Sequence, residues 1–126
     1  MSFSAHRNVT ALSANPAWTP LVKTPTHPAY PANHACVTTS YAKTIDHLLG
    51  RRHFTLTVSG VPASTETRSY VSSAQLITEI ANARVQGGVH FRFSTTAGTA
   101  IGIAVARYGY QHALQPIRDD HARPRS

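Results

Sequence analysis

A chain of 126 residues has room for one domain around a single modest core. Twelve Lys and Arg against five Asp and Glu leave a net charge of +7, so the preferred small partners are anions. The basic residues are scattered from Arg7 to Arg125 without a dense run or interleaved aromatics, which argues against nucleic acid as a partner. A single cysteine, Cys36, excludes an intrachain disulfide framework and reads as a small buried apolar residue.

The first residues, Met1 to Arg7, carry no apolar run after a basic stretch, so no secretory signal is expected. Pro16, Pro20, Pro25, Pro28 and Pro31 each remove a backbone donor and restrict the preceding residue, which predicts an irregular, wrapping segment. A helix is expected from Asn33, as its cap, through Leu48 and Leu49 to a stop at Gly50. Val37, Tyr41, Ile45 and Leu48 recur at helical spacing and predict its buried face. Phe54, Leu56 and Val58 alternate with polar residues up to Gly60 and Pro62, a short strand signal that allows a β-hairpin.

Ser72 and Gln75 have the spacing of a capping box, and the helix they open should end at Gly87-Gly88. After a brief loop, Ser94, Thr95 or Thr96 is expected to cap a last helix from Ala97 to about Tyr110. Gly98, Ala100, Gly102, Ala104 and Ala106 would let another helix approach it closely. The longest small or apolar stretch, Ala97 to Ala106, is far shorter than the roughly 20 residues a membrane span needs, and the chain reads as soluble. Residues 118–126 read as a disordered tail. Three helices are a thin inventory; either the chain associates, as an oligomer or with another partner, or further helices belong before Met1.

The chemistry-bearing residues lie at loop-to-helix boundaries. His34 stands at a helix start, where free backbone donors and the helix dipole favour an anion. Arg84 and His90 are separated by five residues across the Gly-Gly turn, which can swing the imidazole back toward the guanidinium. Arg7 can add a second fork of donors. Arginine presents paired donors to oxyanion oxygens, while a neutral imidazole offers a nucleophilic or metal-ligating nitrogen.

In these motifs the sequence resembles the superfamily of vanadium-dependent haloperoxidases and type 2 phosphatidic acid phosphatases. His27-Pro28-Ala29-Tyr30-Pro31-Ala32-Asn33-His34-Ala35 is similar to its second signature, P-S-G-H. The stretch from Ala83 to Ser94, with Arg84, His90 and the run His90-Phe91-Arg92-Phe93, is similar to the third, S-R-x5-H-x3-D. The resemblance extends from Arg7 to Ile117. It implies an all-α fold, the C-terminal part of a helical bundle of that superfamily over residues 1–117. It also implies that His90 ligates vanadium, as vanadate, or attacks phosphorus; that Arg84 and Arg7 hold the anion; and that His34 is the acid or base. Vanadate would be the cofactor of a haloperoxidase, oxidising halide with hydrogen peroxide; a phosphatase would need none and would take a phosphate ester.

The departures from the family pattern bear on activity. Asn8 replaces the Pro of the first signature, K-x6-R-P, and its Lys would fall before Met1. Ala32 and Asn33 replace Ser and Gly, Ala83 replaces Ser, and Ser94 replaces the Asp that should orient His90. Loss of one oxyanion donor costs about 10²- to 10³-fold in rate, and loss of the partner of a catalytic His about 10⁴. Weak or no turnover is therefore expected, with a catalytically dead module that binds an anion or a partner as the alternative. A basic nucleic-acid binder is a third, less favoured reading, marked by steep salt dependence.

The other histidines, His6, His27, His47, His53, His112 and His121, read as surface or packing residues, and no pair has a structural-zinc spacing. Arg92 reads as structural, and Trp18, Tyr30 and Phe93 as core anchors. Asp119 and Asp120 lie in the tail with no evident catalytic partner.

Overall fold

The computed structural model describes Ala17, residues 19–50, 55–59 and 67–115. In chain order these form helix α1 (Asn33–Leu48), strands β1 (Leu56–Ser59) and β2 (Thr67–Tyr70), helix α2 (Ser73–Gln86) and helix α3 (Arg92–His112). The molecule is thus mainly helical, with one antiparallel hairpin that pairs Leu56 with Tyr70 and Ser59 with Thr67. Arg7, Trp18, Phe54, Gly60, Pro62, His6, His53, His121, Asp119, Asp120 and the tail lie outside the described residues.

α2 starts as its sequence dictates. The Ser72 hydroxyl accepts from the Gln75 amide at 3.2 Å, while the Gln75 side chain reaches back to the Val71 amide rather than to that of Ser72. Replacing Ser72 by Ala should cost about 1 kcal/mol of stability, read from the urea midpoint. At the other end Gly88 has φ +74°, a left-handed conformation that a side chain would strain, and it releases the chain into the loop before α3.

The small core is built where α1, α2 and the hairpin meet, from Ala42, Tyr70, Leu76 and Ile77 with Leu56 packed against them. A polar clamp binds the same helices: Asp46 accepts from Lys43 at 2.9 Å and from the Ser73 hydroxyl at 2.5 Å. Burial alone would raise the Asp46 carboxyl, but the bonds from Lys43 and Ser73 outweigh it and hold it below its ordinary value. A carboxyl depressed in the folded state stabilises at pH above its unfolded value and loses that contribution as pH falls through the folded one. The stability difference between the native chain and Asp46→Asn should therefore be full at about pH 7 and shrink as the pH drops below about 4.

The contact between α1 and α3 departs from the sequence expectation. Gly98 faces Ala32, Ala35 and Cys36, and Gly102 faces Cys36, Thr39 and Ser40, so the two helices run parallel and nearly touch along their backbones. The buried side of α1 is consequently the small one, Ala35, Thr39 and Ala42. The expected apolar stripe points away: Val37, Tyr41 and Leu48 are exposed and Ile45 is half-buried. Close approach of backbones excludes large residues, so burial here follows residue size rather than hydrophobicity. Ile101, Ile103, Val105 and Tyr108 on α3 are exposed as well.

Both caps predicted for these helices are also different. Asn33 is the first helical residue rather than the cap, and Ala32 before it offers no side-chain bond. α3 begins at Arg92, earlier than predicted, with Phe91 before it and again no side-chain cap. The hydroxyls of Thr95 and Thr96 instead bond the Arg92 carbonyl within the helix. Tyr30 and Phe93 are exposed rather than core anchors, and Cys36 is half-buried. Arg92 holds the Asn82 side chain at 2.8 Å, the structural role expected of it.

Candidate functional site

The parallel arrangement sets the N-termini of α1 and α3 side by side, each with amides that no side chain caps. The Ala32 amide bonds the Ser94 carbonyl at 3.1 Å and joins the two starts. Arg84 approaches from the last turn of α2. Its carbonyl accepts from both the Val89 and His90 amides at 3.2 Å, so the Gly-Gly turn folds His90 back over the end of the helix that carries Arg84.

His90 is 3% exposed and fixed in one orientation. Its Nδ1 lies 2.8 Å from the Ala29 carbonyl, which can only accept, so Nδ1 carries the proton and Nε2 keeps a lone pair. The Ser94 hydroxyl donates to the same carbonyl. Ser94 thus supports His90 through the shared Ala29 oxygen and does not bond it directly. The position from which a carboxylate would orient the imidazole is held by a neutral backbone group.

Buried polar atoms are nearly always paired. Among the described residues four buried side-chain atoms are not: Thr39 Oγ1, at the α1–α3 contact, and Arg84 Nε, Arg84 Nη2 and His90 Nε2. The last three belong together, two donors beside one lone pair. An oxyanion answers all three, since its oxygens accept from the guanidinium while its central atom or a hydroxyl meets the imidazole. Burial lowers the Arg84 pKa from its usual value. Burial also lowers His90, with help from the charges of Arg84, His27 and His34 and against the bond to Ala29. His34, although largely exposed, is lowered first by partial burial, then by Arg84 and His27. Both imidazoles are therefore biased toward the neutral form, able to ligate or to accept a proton.

The structure brings His34, Arg84 and His90 into one cluster, with Ser94 behind His90 and Asn33 exposed at the start of α1. Arg7 is outside the described residues. His27, read from sequence as a surface or packing residue, joins the cluster: its ring centroid is 5.9 Å from that of His34 and 6.2 Å from that of His90. The signal that could have found it is its place in the segment leading to His34, which returns across His90 because Ala29 is bonded there.

The helical arrangement is that of a vanadium haloperoxidase-like helical bundle. Residues 2–119 match the family described as the VCPO second helical-bundle domain, and the chain belongs to that family. Among solved structures it is similar to a bacterial vanadium-dependent iodoperoxidase, with 24% identity and a TM-score of 0.72 over 83% of this chain and 26% of that one. It is also similar to an apo-form bacterial vanadium-dependent chloroperoxidase, with 16% identity and a TM-score of 0.60 over 75% of this chain and 23% of that one. The chain thus spans about a quarter of the length of the structures it resembles. No curated protein matches it significantly. Among the described residues no helix is long and apolar enough to cross a membrane.

Proposed function

We propose that the cluster binds a tetrahedral oxyanion, vanadate or a phosphate ester, in a haloperoxidase-like or acid-phosphatase-like domain of weak or absent turnover. The observation that carries this reading is the trio of buried, unpaired atoms Arg84 Nε, Arg84 Nη2 and His90 Nε2. Arg84 holds two oxygens, His90 presents its lone pair to the central atom, and His34 accepts or returns a proton at the open side. The uncapped amides of α1 and α3 add positive potential, and Arg7 is a further candidate cation. Vanadate, when bound, would supply the activation of hydrogen peroxide for halide oxidation; as a phosphatase the site would need no cofactor.

Binding without efficient turnover is favoured by the Ala29 carbonyl behind His90. A carbonyl fixes the tautomer but does not neutralise charge that develops on the ring, as a carboxylate would. The exposed apolar residues of α1 and α3 support a further layer of helices, from a longer chain or a partner, as a component of the active unit. Calorimetric titration with orthovanadate at low ionic strength tests the reading. Saturable binding is expected for the native chain and none for a folded His90→Ala variant; equal binding by both would overturn it.

A further inference from the structure

The three unpaired buried atoms of the site are not alike. Arg84 Nε and Nη2 carry hydrogens and can only donate. His90 Nε2 is an acceptor, because the Ala29 carbonyl, 2.8 Å from Nδ1, fixes the one proton of the neutral ring on the other nitrogen. Burial, and then the charge of Arg84, disfavour a second proton on that imidazole. His27, whose ring centroid is 6.2 Å away, gives its Nδ1 proton to the Pro28 carbonyl at 3.0 Å and not to His90. A ligand that satisfies all three atoms therefore brings two lone pairs for the guanidinium and one group that takes a lone pair from the imidazole.

We propose that the site selects hydroxyl-bearing oxyanions, such as hydrogen phosphate or the monoanion of a phosphate monoester, and rejects sulfate, which has the same tetrahedral shape and no hydroxyl. The inference rests on the oxyanion reading and narrows its ligand class. Two oxygens accept from the guanidinium, and the hydroxyl donates to His90 Nε2. For orthovanadate the same lone pair reaches the metal centre, as in the reading above. In sulfate all four oxygens are acceptors, so one of them would face the buried lone pair with no proton between the two. A buried acceptor left unpaired costs affinity, and a site built to bond a hydroxyl rejects analogues that lack it far more strongly than one that fits shape alone.

The test compares inorganic phosphate with sulfate by calorimetry on the full chain at mildly alkaline pH, with orthovanadate as reference. Both anions then carry two charges, and the hydroxyl is what distinguishes them. Phosphate should bind at least about tenfold more tightly than sulfate. That ratio should fall to about one in His90→Gln, whose amide can turn either its N–H or its oxygen toward the ligand. Nitrogen NMR of the native chain reads the same bond without a substitution: saturating phosphate should shift the His90 Nε2 resonance while Nδ1 keeps its proton. Orthovanadate binding with phosphate no tighter than sulfate, a ratio that folded His90→Gln retains, or an Nε2 resonance that phosphate leaves unmoved would overturn the hydroxyl selection alone. Failure of orthovanadate and phosphate alike to bind would overturn the oxyanion reading and the selection with it.

Discussion

Replacing Arg84 by Ala should weaken orthovanadate binding by about two orders of magnitude, with the chain still folded. The guanidinium has two buried nitrogens without partners, Nε and Nη2. Hydrogen bonds to a charged group contribute roughly 1.5 to 3 kcal/mol each, and the lower end for two of them shared with one anion is a loss of about a hundredfold. Arg84→Lys is the sharper test. It keeps the charge but replaces a planar fork with a point charge, so it should restore only part of the affinity. Because the two nitrogens are unsatisfied without ligand, Arg84→Ala should cost little stability, and removing a desolvated charge can even raise the unfolding midpoint. Calorimetry and a urea melt on the same samples separate these effects. Full restoration by Lys would show that only charge is read at this position.

The second large effect concerns the fold that positions the site. A Cβ at Gly102 would lie 2.5 Å from the Cys36 carbonyl oxygen, 2.7 Å from Thr39 Cβ and 2.9 Å from the Ser40 amide nitrogen. Two of those atoms are backbone of α1 and cannot step aside, so α1 and α3 would have to separate. Overpacking typically costs about 1 to 3 kcal/mol, and with rigid neighbours Gly102→Ala should cost about 3 kcal/mol or more. In a chain of this size that lowers the melting temperature by about 10 °C or more. Gly109 on the same helix is the control, since a Cβ added there would meet nothing within 4 Å. Gly109→Ala should therefore raise stability by roughly 0.5 to 1 kcal/mol through helix propensity. The same chemical change with opposite signs would identify the close parallel contact as the cause.

Much of this architecture is legible in the sequence, and the departures share one physical origin. Local rules place α2 well: Ser72 caps it and Gly87-Gly88 ends it. The small residues of α3 correctly announce a close partner. What periodicity does not show is which face of α1 that partner chooses. Val37, Tyr41 and Leu48 form the more hydrophobic stripe, yet Gly98 and Gly102 demand small neighbours, and Ala35, Thr39 and Ala42 satisfy them. The helix starts depart from local rules for a related reason. Ser94, Thr95 and Thr96 look like caps, but Ser94 is drawn to Ala29 and the threonines bond back to Arg92 within the helix.

The site is legible where a short chain segment defines it. Arg84 and His90 are joined by one tight turn, and their proximity follows from Gly87-Gly88. His34 can be assigned to them only through the family resemblance, because its approach depends on the α1–α3 contact. Sequence reasoning misses His27 because it reaches the cluster through a tertiary bond, from the His90 imidazole to the Ala29 carbonyl, that no sequence spacing announces.

The central claim is that His90 presents a bare Nε2 to an oxyanion while Nδ1 stays bonded to Ala29. Nitrogen NMR of histidine-labelled protein during an orthovanadate titration tests it most directly. The free protein should show His90 protonated at Nδ1 alone, and added vanadate should shift the Nε2 resonance while the Nδ1 proton persists; that shift should be absent in Arg84→Ala at the same vanadate concentration. A His90 ring protonated at Nε2 in the free protein, or an Nε2 resonance that saturating vanadate leaves unmoved, would contradict the account.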